Sequence, residues 1–257
     1  MTLSVAIITF NEEANIARTL RSVAAIADEI VIVDSGSNDR TVEIAQSFGP
    51  HVRVLSETWK GFARQKNSAI EKCTGIWVLS LDADEELTPE LAKEISEILS
   101  GPAEDGFGKE DGYWIKRRNH FLNKPIRHGG FYPDPKLRLF RRGKGRFLDR
   151  PVHETMEIEG RLGTLHYPMN HHAYPTLSGY IEHMNRYSSL GAQVAVSRRR
   201  RGFSVLDIVL RPLATFLYNY LFRLGFLDGR EGLLLHMYHS VYVSWKYAKA
   251  WEIGQDR

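Results

Sequence analysis

Two carboxylates close an apolar run in this sequence. Ile76-Trp77-Val78-Leu79-Ser80-Leu81 leads into Asp82-Ala83-Asp84-Glu85, and Gly75 marks where the run begins. A run of this length suits a buried strand. Its acidic end then falls at the strand's carboxyl edge, where open α/β sheets place ligands. On a continuing strand, Asp82 and Asp84 share one face. Paired oxygen ligands suit a divalent cation that also holds a diphosphate. An Asp-x-Asp is common, however, and alone it more readily describes a solvated turn into the helix that Thr88-Pro89-Glu90 would start. Two further groups sharpen the reading. Asp34 ends an earlier apolar run, and the Ser35-Gly36-Ser37 after it lets a backbone approach a ligand closely. Lys66 can offset phosphate charge. Singly, Asp34 reads as a helix cap and Lys66 as a solvated cation; together, in this order, they describe one crevice.

The elements that must position these groups follow from periodicity. Leu3 to Thr9 is a buried strand, and Phe10-Asn11-Glu12-Glu13 a polar loop. Asn15 is placed to cap a helix through about Ala27, with Ile16, Leu20, Val23 and Ile26 as its apolar stripe. Glu29 to Asp34 is a second strand, Arg40 to Phe48 a second helix, and His51 to Leu55 a weaker third strand. Trp59 to Asn67 enters a helix that runs to about Lys72, ahead of the fourth strand. This alternation predicts a parallel sheet with right-handed crossovers. The loops Thr9 to Glu12, Asp34 to Asp39 and Asp82 to Glu85 then converge at one sheet edge.

Beyond a Gly- and Asp-rich link from Gly101 to Gly112 the pattern leaves the βαβ repeat. β-like pieces are expected at Gly112 to Arg117, Lys136 to Arg141 and Thr164 to Tyr167. An aromatic and basic loop, Phe121 to Tyr132, lies between the first two. The expected organisation is residues 1–190 as the main domain (1–100 for the nucleotide, 101–190 for the acceptor) and 191–257 as amphipathic helices.

In Phe203 to Arg223 the polar residues Asp207, Arg211, Thr215, Asn219 and Arg223 recur every fourth position on an otherwise apolar helix. Such a helix is buried in a bundle or lies in a membrane. Arg211 near its middle would cost about 2.5–3.5 kcal/mol to insert, and Pro212 interrupts it. With Arg198-Arg199-Arg200-Arg201 just upstream, the expectation is an interfacial helix rather than a span. The alternative is an ordinary helical subdomain, and pairing with a second copy also stays open. The chain has 257 residues with a net charge of +3, ordinary for a globular protein, and nothing beyond the arginine run favours nucleic acid. A single cysteine, Cys73, excludes an internal disulfide and fits a reducing compartment. No signal peptide is read at the N-terminus. The expected location is cytoplasmic, peripheral or monotopic at the inner membrane.

These motifs resemble the family 2 glycosyltransferases. Ile8-Thr9-Phe10-Asn11-Glu12-Glu13, Val33-Asp34-Ser35-Gly36-Ser37-Asn38-Asp39-Arg40-Thr41, Gly61 to Asn67 and Asp82-Ala83-Asp84 carry the likeness. Lys136 to Arg142, Val152-His153-Glu154, Gly225-Phe226-Leu227-Asp228-Gly229 and Tyr247 to Glu252 make the chain most similar to the lipopolysaccharide core β-glucosyltransferases. The resemblance implies a GT-A fold, a Rossmann-like nucleotide-binding sheet with an acceptor half, here followed by a helical membrane-associated region. It implies that Ile8, Thr9, Phe10, Glu12, Asp34, Ser35, Lys66, Asp82 and Ala83 bind the nucleotide sugar, a UDP-sugar such as UDP-glucose. Many members carry an acid where Ser35 stands, so the base contact falls to Asp34. Asp82 is expected on the ribose and the metal's water shell, and Asp84 as direct ligand of Mg²⁺ or Mn²⁺. Arg138 and Arg141, read as one face of their strand, are expected to grip the diphosphate or an anionic acceptor, with a solvated strand face as the alternative.

An inverting transfer needs a general base. Glu154 is the candidate, with Asp134 and Asp149 as competitors; the plain alternative for Glu154 is a surface acid on the strand it shares with Glu157. His166, His171 and His172 invite a zinc reading, but oxygen ligands argue against it, and one histidine is expected to complete the metal or phosphate shell. The expected activity is inverting, metal-dependent transfer of a hexose to a lipid-linked or lipopolysaccharide-core acceptor. The rivals are a nucleotidyltransferase, whose glycine-rich basic loop Thr9-Phe10-Asn11-Glu12 does not match, and a sugar-nucleotide-binding scaffold.

Overall fold

The computed structural model describes residues 2–101, 109–149, 155–197 and 202–255. The chain forms two compact units: residues 1–117 with 134–171, and residues 118–133 with 172–257.

In the first unit, strands β1 (Leu3–Thr9), β2 (Glu29–Asp34), β3 (Val52–Ser56) and β4 (Trp77–Asp82) alternate with helices α1 (Ile16–Val23), α2 (Thr41–Gln46) and α3 (Phe62–Glu71). The strands are parallel in the order β3-β2-β1-β4. Such strands are apolar on both faces because helices cover both. Leu3, Val5 and Ile7 pack with Ile16, Leu20 and Val23 of α1, while the alternate residues Ala6, Val31 and Val33 pack with Ala63, Ala69 and Ile70 of α3. Gly75, two residues before β4, leaves no room for a side chain: a Cβ there would sit 2.8 Å from the Ser4 backbone nitrogen.

A short strand β5 (Glu85–Leu87) leads into α4 (Pro89–Ser100), whose N-cap Thr88 accepts a hydrogen bond from Leu91 N–H at 3.2 Å. The sheet continues with antiparallel partners: β8 (Asp134–Arg141) on β4, then β6 (Gly112–Phe121) on β8, and β12 (Met169–Tyr174) on β5. Strand β11 (Leu162–Thr164) adds to β6, and β9 (Gly145–Leu148) and β10 (Thr155–Ile158) form a separate hairpin. The expected pieces at Gly112 and Lys136 are therefore longer strands. The expected strand at Thr164 to Tyr167 ends at Thr164.

The second unit is helical apart from its strand ends and β7 (Lys124–Pro125). Helix α5 (Leu177–Ser197) packs on α7 (Gly229–Gln255). Small residues set their approach, with Ala192, Ala195 and Ala250 buried together. Between them lies α6 (Arg211–Leu217), which π-helical turns extend in both directions, Leu206–Leu210 and Tyr218–Phe222. Among the described residues, no helix is long and apolar enough to cross a membrane. The arginine run 198–201 lies outside the described residues.

Candidate active site

The strand order reverses direction at β1, between β2 and β4, and a ligand crevice is expected outside the carboxyl ends there. Register brings the motif residues to it: Thr9 pairs with Asp34, and Ile8 pairs with Asp82. The first two loops are stitched together. Asn11 N–H donates to Ser37 Oγ at 2.9 Å, Asn38 N–H to Asn11 Oδ1 at 2.9 Å, and Glu12 N–H to Thr41 Oγ1 at 2.7 Å. Asn11 holds a left-handed φ of 54° to do so, a conformation asparagine tolerates. Asp34 is buried, and its Oδ2 accepts from the Gly36 and Ser37 amides at 2.9 Å each. It therefore folds its own loop as well as facing the crevice. Phe10 stands exposed at the mouth.

Strand β4 ends at Asp82, and Ala83-Asp84 form a turn. The expected continuing strand is not present, so the two carboxylates do not share a strand face; they have different neighbours. Asp82 is clamped: Lys66 Nζ lies 2.7 Å from its Oδ1 and Arg138 Nη2 2.7 Å from its Oδ2. Burial raises its pKa, but Arg138 and Lys66 outweigh that and hold it well below the usual carboxylate range. Asp84 instead lies 3.3 Å from His171 Nε2. Burial, the largest single influence, raises its pKa too, but the charge and hydrogen bond of His171, together with Arg117, leave it below its ordinary value. Thr19 Oγ1 donates to the Ala83 carbonyl at 2.7 Å and pins the turn from below.

The clamp rests on a group that sequence reasoning passed over. Glu85 is completely buried; its Oε1 takes Arg138 Nη2 at 2.6 Å and Arg117 Nη1 at 3.3 Å, and its Oε2 accepts from Asp82 N–H at 3.0 Å. Arg117 continues to Asp134 at 2.7 Å, which also takes Lys136 at 2.9 Å. Arg138 is the extra residue of a β-bulge, because Tyr113 pairs with Leu139 while Trp114 pairs with Leu137. A bulge re-aims a side chain, and this one places Arg138 on both acids. Arg138 is thus buried between Asp82 and Glu85. Arg141 is not brought to this edge. It pairs with Trp77, at the far end of β4, and its guanidinium lies 4.7 Å over that ring.

Glu12 is the perturbed acid of the crevice. Burial, with Asp84, Asp39 and Asp82 nearby, pushes its pKa up to about 7 against the Asn15 hydrogen bond that lowers it. Thr9 Oγ1, Ser35 Oγ and Gln65 Nε2 are buried polar atoms with no hydrogen-bond partner among the described residues. Such atoms cost stability unless a ligand satisfies them.

Of the other expected groups, Glu154 and His153 lie outside the described residues. Asp149 is exposed and paired with Arg64 at 3.1 Å. His166 pairs with Glu94 at 2.7 Å, and His172 stacks on His120 at 4.5 Å; only His171 joins the acidic turn. No cluster of three metal-ligating side chains occurs among the described residues. One carboxylate and one imidazole nitrogen nevertheless fit Mg²⁺ or Mn²⁺, which commonly take few protein ligands and complete their shell with phosphate oxygens and water.

The sequence profile of Glycosyl transferase family 2 matches residues 4–156. The chain belongs to this family. It is therefore a family 2 glycosyltransferase rather than a nucleotidyltransferase. The lipopolysaccharide core biosynthesis glycosyltransferase LpsC of Rhizobium meliloti is 34% identical over 258 residues, covering 97% of this chain and 92% of that protein. An uncharacterized glycosyltransferase of Rickettsia typhi is 31% identical over 242 residues, covering 90% and 80%. Among solved structures, the mannosyltransferase PcManGT from Pyrobaculum calidifontis, in complex with GDP-Man and Mn²⁺, superimposes with a TM-score of 0.52 at 17% identity, covering 98% of this chain and 86% of that one. S. aureus TarS 1-349 gives 0.50 at 16% identity, covering 97% and 92%. These likenesses show a GT-A-like α/β fold with a mixed sheet.

Proposed function

We propose that this glycosyltransferase moves a hexose from a nucleoside diphosphate sugar, UDP-glucose or a close relative, to a lipopolysaccharide-core or other lipid-linked acceptor at the inner membrane surface, with inversion at the anomeric carbon. The observation that carries the reading is the acidic turn where the strand order reverses, with Asp82 held by two cations and Asp84 turned to His171. The nature of LpsC supports the acceptor class, and the GDP-Man and Mn²⁺ bound by PcManGT support a nucleotide sugar with a metal.

In this reading Thr9, Ser35, Gln65 and Asp34 receive the nucleoside, since three of them carry buried polar atoms without hydrogen-bond partners among the described residues. Lys66 lies close enough to Asp82 to share its charge with a diphosphate. Asp84 and His171 hold Mg²⁺ or Mn²⁺, which when bound neutralises the departing nucleoside diphosphate. Glu12, with its pKa near 7, is partly protonated at neutral pH and then donates a hydrogen bond to the ligand. Glu154 takes the acceptor proton. Asp134 and Asp149 are each engaged by cations, which weakens both as bases.

The test is release of nucleoside diphosphate from a panel of sugar nucleotides with Mn²⁺ and a lipopolysaccharide-core acceptor, with the product anomer read by NMR. One UDP-hexose should turn over in an acceptor-dependent way to the inverted anomer, and Glu154→Gln should stop it. Retained configuration, or no turnover of any sugar nucleotide, would overturn the reading.

A further inference from the structure

Glu85 holds the Asp82-Ala83-Asp84 turn at both ends. It opens β5, and its backbone pairs antiparallel with His171 of β12. Its side chain folds back to the start of the turn, where Oε2 accepts from the Asp82 N–H at 3.0 Å. One residue therefore sets the span from Asp82 to the strand that carries His171. Asp84 lies within that span, 3.3 Å from His171 Nε2. Between the two ends Thr19 Oγ1 ties down the Ala83 carbonyl at 2.7 Å.

The other oxygen sets the charge. Glu85 Oε1 takes Arg138 Nη2 at 2.6 Å and Arg117 Nη1 at 3.3 Å. That same Arg138 nitrogen lies 2.7 Å from Asp82 Oδ2. Glu85 thus draws the nitrogen to a point between two carboxylates and keeps it against Asp82. Arg117 is backed in turn by Asp134 at 2.7 Å. Charge therefore alternates in sign from Asp134 through Arg117, Glu85 and Arg138 to Asp82. Stability alone does not call for such a chain, because well-packed apolar side chains often replace a buried ion pair at no loss. What the position demands is two acceptors aimed apart, one at a backbone amide and one at two guanidinium groups. Glu85, completely buried, meets both demands. A glutamine of the same shape has one oxygen, so it would set an N–H against the Asp82 amide or against the arginines.

We infer that Glu85 is a positioning residue for the metal. It acts through its neighbours. By fixing the Asp82 amide, the His171 strand and Arg138, it presents Asp84 and His171 side by side while Asp82 stays paired with Arg138 and Lys66. Groups behind a metal's ligands orient those ligands, and losing one commonly weakens metal binding about 10–100-fold. This role rests on the reading that Asp84 and His171 hold Mg²⁺ or Mn²⁺, and extends it from the ligands to the residue that sets them.

The experiment is titration of the full chain with Mn²⁺ at saturating UDP, followed by electron paramagnetic resonance as loss of the free-ion signal. Glu85→Gln should weaken Mn²⁺ binding about 10–100-fold, with a circular dichroism spectrum like that of the wild type. In turnover, the Mn²⁺ concentration for half-maximal rate should rise by the same factor, while the KM for sugar nucleotide at saturating Mn²⁺ stays near wild type. Arg117→Gln removes the outer support of Glu85 and should weaken Mn²⁺ binding by a smaller factor. It carries the test if Glu85→Gln does not fold. A role in stability alone would lower the melting temperature and leave the Mn²⁺ affinity of the folded protein unchanged. Wild-type Mn²⁺ affinity in folded Glu85→Gln, or in Arg117→Gln where the first variant does not fold, would overturn the proposal alone. A wild type that does not sequester Mn²⁺ with UDP would overturn the metal reading together with it.

Discussion

The carboxyl edge of the sheet and the outward face of α6 invert the usual rule of burial in opposite senses. At the edge, Glu85, Arg138 and Lys66 are charged side chains almost wholly removed from solvent, and each is tied to an opposite charge within 2.7 Å. Along α6 and its flanking turns, large apolar side chains such as Leu206 and Phe222 stand in solvent. A buried charge is costly unless partnered, and an exposed apolar stripe is costly unless covered. The first region meets its cost within the fold. The second does not meet it among the described residues. The difference separates a preorganised cluster of partnered charges from an apolar face left in solvent.

The comparison can be broken at its strongest point first. Asp84→Asn should lower metal-dependent turnover by at least about 10²–10³-fold, the scale of removing one preorganised electrostatic group, while leaving the melting transition near its wild-type value. Replacing Glu85 should act on stability as well. Glu85→Ala leaves Arg138 and Arg117 short of a buried partner and should cost about 3–5 kcal/mol in denaturant unfolding. The apolar residues give a matched pair: Leu79→Ala, in the buried sheet core, should cost about 2–5 kcal/mol. Leu213→Ala, on the exposed stripe, should change stability by less than about 0.5 kcal/mol. If the two leucine variants cost the same, the face of α6 is covered within the chain and the contrast fails.

The crevice acid Glu12 adds a pH dependence. The folded pKa of Glu12, about 7, lies above its ordinary value of 4.5. Between those values the native state binds more protons than the unfolded state, so this group makes stability fall as pH rises from about 4.5 to 7. Above 7 the loss is complete. Glu12→Gln should remove that slope, seen as a smaller drop in unfolding free energy between pH 5 and 8.

Much of the first unit was legible because each strand is a single apolar run. Leu3–Thr9 and Glu29–Asp34 occur with the expected bounds, since nothing but local pattern decides them. The crevice residues Asp34, Asp82 and Asp84 were legible for the same reason: each follows such a run. Glu85 and Arg117 were not. Glu85 reads as one more acid in a polar turn, and its cations, Arg138 at the bulge and Arg117, come from strands distant in sequence. Arg141 shows the converse, a basic residue of the same strand carried to the other end by register. Strands β9 and β10 are short and pair only with each other, and β11 and β12 take their pairing from distant partners, which no local period encodes. His171 could be named only as one of three histidines, because its partner Asp84 is far away in sequence and meets it through the β5–β12 pairing.

The most direct test of the division between a clamped Asp82 and an available Asp84 is Mn²⁺ binding in the presence of UDP, followed by electron paramagnetic resonance. Wild-type protein should sequester Mn²⁺ together with UDP, Asp84→Asn should lose that signal, and Arg138→Lys should keep most of it. Undiminished Mn²⁺ binding in Asp84→Asn would contradict the assignment and move the metal to another part of the edge.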